Sequence, residues 1–247
     1  MARAGKTQSG KARPGRKPRE KLSKERIEEA AAALIERDGL DGFSTRKLAE
    51  TLGCEAMSIY HYFPSKAHLM DALVDRAVAG MAMPPARLSW REKVRRVAYE
   101  YRAMAHRLPR FFQFMVLHRL NTPAGLSVLN QIIAVFRDGG FDLEQSARFF
   151  RVLGYYISGA ALDETSGYAK GPSAAEPVAD EVAARDYPDI AAINPYFKPA
   201  HHEATFALGL DMLLEGMAAA APKARPAAGE IRRGGGRPSR SSRSSSR

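Results

Sequence analysis

The chain has 247 residues, 45% of them hydrophobic, with a single cysteine. That length suits one large or two small domains, and a lone cysteine excludes an internal disulfide or a cysteine-built zinc cluster. The net charge of +11 points toward an acidic partner, yet residues 1–22 and 222–247 each carry +7, which leaves −3 on residues 23–221.

The two basic ends are rich in Gly, Pro and Ser and offer almost nothing to bury, the composition of disordered arms. Within them, PGRKPR at 14–19 and GGGRP at 234–238 set an arginine beside Pro or Gly in an extended chain, as in minor-groove-binding arms. The N-terminal arm is expected to add phosphate affinity and a minor-groove contact. No apolar run approaches the roughly 18 residues of a membrane span, and the basic N-terminus leads into no signal-peptide core. A cytoplasmic protein with no membrane partner is the expectation.

After the first arm, Ser23 to Asp38 reads as a helix with Ile27, Ala30, Ala31, Leu34 and Ile35 on one face, ended by Gly39. Thr45 is expected to cap a second helix that buries Leu48, Ala49 and Leu52. Gly53 can take the left-handed conformation that ends it and turns the chain. Cys54 suits a small core position just past that turn. A third helix is expected from about Glu55 to Tyr62, with Ile59 and Phe63 inward. Pro64 stops it and Ser65 caps a fourth helix carrying Leu69, Met70, Leu73 and Val74 on its apolar side. Two short helices joined by a glycine turn make a helix-turn-helix, whose second helix enters the DNA major groove. With the inward positions taken, Met57, Ser58, Tyr60, His61 and Tyr62 are left to point outward. Exposed aromatics are odd on a solvated face and sensible on one that meets phosphates and base edges.

Residues 83–221 are helical in pattern, so the fold class is all-α: a helix-turn-helix domain at 23–82, then a larger helical domain. Ser89 to Arg107 is amphipathic, with Val94, Val97, Ala98, Tyr101 and Met104 or Ala105 inward. Pro109 opens FFQFMVLHRL, apolar nearly all round and therefore expected to be buried. Helices follow over about 123–138, ended by Gly139-Gly140, and about 143–164. Residues 165–199 carry five prolines and read as a long loop with one short helix near Val178–Arg185. A last helix is expected from His201 to Ala220, with Phe206, Leu210, Leu213, Leu214 and Met217 on its apolar face.

Tyr101, His106, Phe111, Phe114, Met115, His118, Phe136, Phe150, Tyr155 and Asp163 could line a mostly apolar cavity with a few polar groups, the usual make-up of a small-molecule site. Aromatics on buried helices are also what an ordinary core contains, and His118 reads either as a satisfied core histidine or as a polar ligand contact. His201 and His202 show no third partner at metal spacing, so neither metal nor cofactor is expected. No phosphate loop, GxSxG, HExxH or paired-carboxylate motif is present, which speaks against an enzyme.

The order of elements over 23–80, and the string IYHYFPSKAHLMDAL with its YxYFxxK core, resemble the TetR family of bacterial transcriptional regulators. The resemblance extends more loosely through GFDLEQSARFFRVLGYYISGAALDE and FALGLDMLLEGMAAA. It implies an inducer pocket in the second domain and pairing of the last long helices with a second subunit. The small residues Gly154, Gly159, Ala160, Ala161, Gly209, Gly216 and Ala218 would let such helices approach closely. By resemblance, Thr45, Tyr60, Tyr62 and Lys66 would hold phosphates. Arg46, Met57, Ser58 and His61 are the candidates for reaching base edges, Arg46 first because a guanidinium binds guanine bidentately. Arg46 could also be a solvated helix-start arginine, and Tyr60 and Tyr62 partly packed core. The expected function is that of a homodimeric, sequence-specific repressor on double-stranded DNA, released from a palindromic operator by a small-molecule inducer. The alternative is a sequence-tolerant architectural protein driven by its basic arms.

Overall fold

The structure is a computed structural model that describes residues 21–166 and 174–221. The N-terminal arm up to residue 20, with the DNA contacts expected of it, and the C-terminal arm lie outside the described residues, as do residues 167–173 of the long loop.

Four helices form the N-terminal part: α1 (Lys24–Gly42), α2 (Thr45–Leu52), α3 (Ala56–Tyr60) and α4 (Lys66–Ala79). Ser23 caps α1, its hydroxyl accepting from the Arg26 amide at 3.3 Å, and Ile27, Ala31, Leu34 and Ile35 are buried. Gly39 ends the first helical run of this element, as expected. Its φ of 77° breaks the spiral, and a last turn runs on to Gly42. The cap of α2 falls one residue earlier than expected: Ser44, not Thr45, holds extended backbone and accepts from the Lys47 amide at 3.2 Å. Either hydroxyl could serve, and position relative to the first free amides decides it. Gly53 takes the left-handed conformation at φ 65°, as the turn requires. Cys54 is a half-buried free thiol packed against the core. Helix α3 is shorter than expected, with His61 and Tyr62 in the turn that follows it. Ile59 and Phe63 are buried as their spacing required, and Ser65 caps α4.

Seven further helices follow: α5 (Trp90–Arg107), α6 (Pro109–Met115), α7 (Pro123–Asp138), α8 (Leu143–Ser166), α9 (Asp180–Asp186), α10 (Pro188–Ile193) and α11 (His202–Ala219). Among the described residues no element is a strand, and no helix is long and apolar enough to cross a membrane. Helix α5 opens with a reciprocal cap, Ser89 accepting from the Glu92 amide while Glu92 accepts from the Ser89 amide at 2.9 Å. Helix α8 packs against α5, α6, α7 and α11 and forms the centre of this part.

Two expectations need correction here. The stretch from Phe111 to Leu120 is not buried all round: Phe111, Phe112 and Met115 are, but Leu117 is 88% exposed, because α6 ends at Met115 and the chain turns outward. Among its described residues the long loop holds two short α-helices, α9 and α10, followed by two 3-10 turns, where one short helix was expected. Pro188 starts α10 because its fixed φ suits a first helical turn.

Charge ties the layers together. On α5, Arg91, Arg95 and Arg102 pair with Glu215, Asp211 and Glu203 of the antiparallel α11. Arg102 also bonds the buried Glu164 of α8 at 2.7 Å and lies 4.6 Å from the centre of the Phe206 ring. Burial works against the Arg102 charge, but its bonds to Glu164 and Glu203 outweigh that and hold its pKa above the ordinary arginine value. The bond from Arg102, with that from Tyr99, holds the Glu203 carboxyl below its usual range.

Candidate DNA-binding face and ligand cavity

The glycine turn and the two helix starts bring one set of polar side chains to a single end of the molecule. Arg46 is 89% exposed and its Nε sits 3.2 Å from Glu50 one turn along α2. Thr45, just before it, is half-buried. On α3, Met57 is 64% exposed, Tyr60 and His61 are exposed and Ser58 is half-exposed. Lys66 begins α4. Its ammonium lies 3.4 Å from the Phe43 carbonyl oxygen and 5.2 Å from that ring's centre, so at least two of its three donors stay available for a phosphate. Lys47 joins this face, exposed and donating to the Gly42 carbonyl at 2.8 Å. The sequence reading passed over it, although its place beside Arg46 at a helix start was the available signal.

Tyr62 departs from the expected outward position. It is half-buried against the core, and its hydroxyl donates to the Leu22 carbonyl oxygen at 2.7 Å. The short α3 is the reason: past Tyr60 the chain leaves the helix, and the ring swings toward the start of α1. Its oxygen keeps a lone pair for a donor, but the side chain now ties the residue preceding α1 to the turn after α3.

In the larger part, a cavity of about 610 Å³ opens between α4, α5, α7, α8 and the segment after α6. Of the ten residues expected to line a pocket, Tyr101, His118, Phe150 and Tyr155 do so. Phe136 and Met115 are core residues, and Phe111, also buried, borders a separate crevice of about 450 Å³ at the α1–α4–α5–α6 junction. Phe114 packs against the rings of Phe111 and His118. His106 bonds Glu164 at 2.7 Å, and Asp163 is exposed on α8. None of these six reaches the cavity wall.

Its polar points are few. Tyr101 and Ser158 share a hydroxyl bond of 3.2 Å. Burial raises the Tyr101 phenol above its ordinary pKa, with the Ser158 bond pulling the other way, so the group stays neutral and able to donate. Arg151, which the sequence reading did not select, lies at the wall with Tyr155, its Nη2 donating to the phenol oxygen at 2.9 Å. Their i, i+4 spacing on α8 was the signal.

The same wall touches the N-terminal part. Val78, in the last turn of α4, and Met81 just beyond it both line the cavity. His118 lines it as well and sets its Nε2 3.0 Å from the Asp71 carboxylate on α4. Thr122 bonds Asp75 one turn further along α4. At the other end of this connecting segment, the Glu36 carboxylate of α1 accepts the amides of Arg110 at 3.1 Å and Phe111 at 2.8 Å. Residues 110–122 are thus gripped at one end by α1 and at the other by α4, the helix that begins with Lys66. Among the described residues, no three His, Cys, Asp or Glu side chains are grouped to hold a metal ion.

Comparison with known proteins agrees with this geometry. Residues 27–73 match the family model for bacterial regulatory proteins of the tetR family, and residues 84–221 match the tetracyclin repressor-like C-terminal domain. The HTH-type transcriptional repressor DrrR1 of Streptomyces coeruleorubidus is 30% identical over 155 residues, which cover 62% of this chain and 57% of that repressor. The class A tetracycline repressor from transposon 1721 of Escherichia coli is 27% identical over 203 residues, 80% of this chain and 91% of that protein. A solved structure described as a "possible TetR family transcriptional regulator" from Streptomyces coelicolor A3(2) superposes with a TM-score of 0.67 at 27% identity, covering 80% of this chain and all of that one. The Streptomyces coelicolor protein ActR, in complex with actinorhodin, gives 0.65 at 23% identity, covering 83% of this chain and all of that one.

Proposed function

Because this chain belongs to the TetR family of bacterial transcriptional regulators, we propose that it is a dimeric repressor that reads a palindromic operator and leaves it when a small molecule fills the cavity beside α4. One observation carries this reading: the wall of that cavity includes Val78 of α4 itself and His118, which bonds Asp71 of the same helix. A ligand there favours one setting of α4 over another only by binding the two settings unequally, and a wall shared with α4 supplies that difference. Relatives named for repression, and a similar fold that holds actinorhodin, support the assignment.

On this reading residues 23–82 read DNA. Tyr60, Thr45 and Lys66 hold phosphates, Tyr62 joins them only by giving up its hydroxyl bond to Leu22, and Arg46, Met57, Ser58 and His61 meet base edges. Residues 83–221 hold the ligand and the second subunit. The surface offers a face for that subunit: Val152 of α8 and Leu208 and Met212 of α11 are exposed, and a Cβ added at Gly159 or Gly216 would meet open space. Twofold pairing through such a face would set two α3 helices on a palindrome.

Selection of genomic or random DNA fragments on the full chain and on residues 23–221, at near-physiological salt, tests the proposal. A short palindrome enriched by both is the expected outcome. Fragments without a common motif, lost when the arms are removed, would establish the architectural reading instead.

His118→Ala is expected to weaken binding to the selected palindrome by roughly 3–30-fold, the range of about 0.5–2 kcal/mol for residues along a coupling route. The imidazole holds α4 in its ligand-free setting, while the Asp71 it leaves is 45% exposed and easily solvated, so folding stability should change little. Fluorescence anisotropy with the palindrome measures the effect. Unchanged or tighter binding would sink this coupling role.

A further inference from the structure

We propose that the molecule taken by the cavity is a hydrophobic anion: an apolar, aromatic or aliphatic body seated inside, with one acid group at the mouth on Arg151. The inference rests on the ligand reading above and adds the chemical class of the ligand. Eighteen residues line the cavity, and none is Asp or Glu. The charge-bearing groups in the wall are Arg151 and His118, both basic, set among aliphatic side chains and the rings of Phe150, Tyr101 and Tyr155.

The two basic groups differ in what they already hold. His118 is committed to Asp71. The Arg151 guanidinium is not committed to a carboxylate: among the described residues it donates only to the Tyr155 hydroxyl, at 3.3 and 2.9 Å, and lies 5.0 Å from the centre of that ring. Other arginines of this part find acids, Arg148 one turn earlier pairing with Glu144 and Arg102 with Glu164 and Glu203. A guanidinium offers five donors in a planar fork, and a phenol oxygen satisfies only part of it.

An anion at this point gains charge-assisted bonds from the unused side of the fork. A cation would meet like charge with no acid in the wall to offset it, and would lose hydration for nothing. Arg151 and Tyr155 are both exposed, so the acid group can remain partly hydrated while only the apolar body enters the cavity. That arrangement avoids the cost of burying a charge fully. Inside, the Tyr101–Ser158 hydroxyl pair offers a neutral polar contact to a carbonyl or hydroxyl on the body.

The test is a fluorescence titration of the full chain with three probes of one shape: pyrenecarboxylate, pyrenecarboxamide and pyrenemethylammonium, at near-neutral pH and physiological salt. The carboxylate should bind about tenfold tighter than the amide, as a charge-assisted bond exceeds a neutral one, and the ammonium should bind weakest. Arg151→Gln should bring the affinity for the carboxylate down to that for the amide. Equal affinity for the three probes, or a carboxylate lead that survives Arg151→Gln, would overturn the anion inference while leaving a ligand cavity in place. Binding of none of the three would overturn the ligand reading itself, and this inference with it.

Discussion

Replacing Glu164 by leucine is expected to cost about 3–5 kcal/mol of folding stability, the usual penalty for removing one partner of a buried ion pair. The Glu164 side chain is 5% exposed and that of Arg102 is 12% exposed, so the guanidinium left behind cannot recover its hydration where it lies. His106 loses its partner on the same carboxylate. The exposed Glu203 would remain beside Arg102, but a solvated carboxylate offsets little of the loss. For a chain of this length the melting temperature should fall by about 10 °C, at roughly 2–4 °C per kcal/mol. Glu203→Gln is the control: it breaks the exposed bond to the same arginine and should cost no more than about 1 kcal/mol. Thermal and urea unfolding measure both variants. Equal, small losses would mean that Arg102 relaxes to solvent and that the network does not bind α5 to α8.

Arg46→Ala is expected to lower discrimination at one position of each half-site by about 1–3 kcal/mol, roughly 5- to 150-fold, while affinity for unrelated DNA falls much less. The single chain shows why Arg46 is free to do this. Its bond to Glu50 joins two exposed side chains at i, i+4, worth only about 0.3–0.5 kcal/mol, so a guanine edge easily outbids it. Lys66→Ala provides the contrast, since loss of a phosphate contact weakens all sequences alike and reduces the salt slope by about one. Repeating the fragment selection with each variant reads the difference. If Arg46→Ala weakens every sequence equally, the residue is a phosphate contact and the base-reading role belongs to α3 alone.

Much of the site was legible in the chain because its parts are local. Ile59, Phe63, Leu69 and Leu73 are buried as their spacing demanded, Gly53 takes the left-handed turn, and Met57 and Tyr60 are left exposed by elimination. Tyr62 was misplaced because an exact helix end decided its direction, and a difference of two residues in α3 turned the ring from solvent toward Leu22. The cap at Ser44 rather than Thr45 is an error of the same kind and size. Among the cavity residues the failure has another cause. Phe111 and Met115, expected to be buried in an all-apolar stretch, are, and so is Phe136, but burial does not say which buried faces meet across an unfilled space.

By itself the sequence determined most of the helices, their apolar faces, the glycine turn and most of the side chains left exposed around that turn. Each depends on spacings of three to four residues and on backbone preferences that act within one turn. Only the tertiary structure decided that Val78, His118 and Arg151, far apart along the chain, share one cavity wall. It also decided that Glu164 closes a network with Arg102, 62 positions away. Those outcomes follow from where α4, α5 and α8 cross. A helix crossing is set by the summed packing of many side chains, so no short stretch of sequence records it.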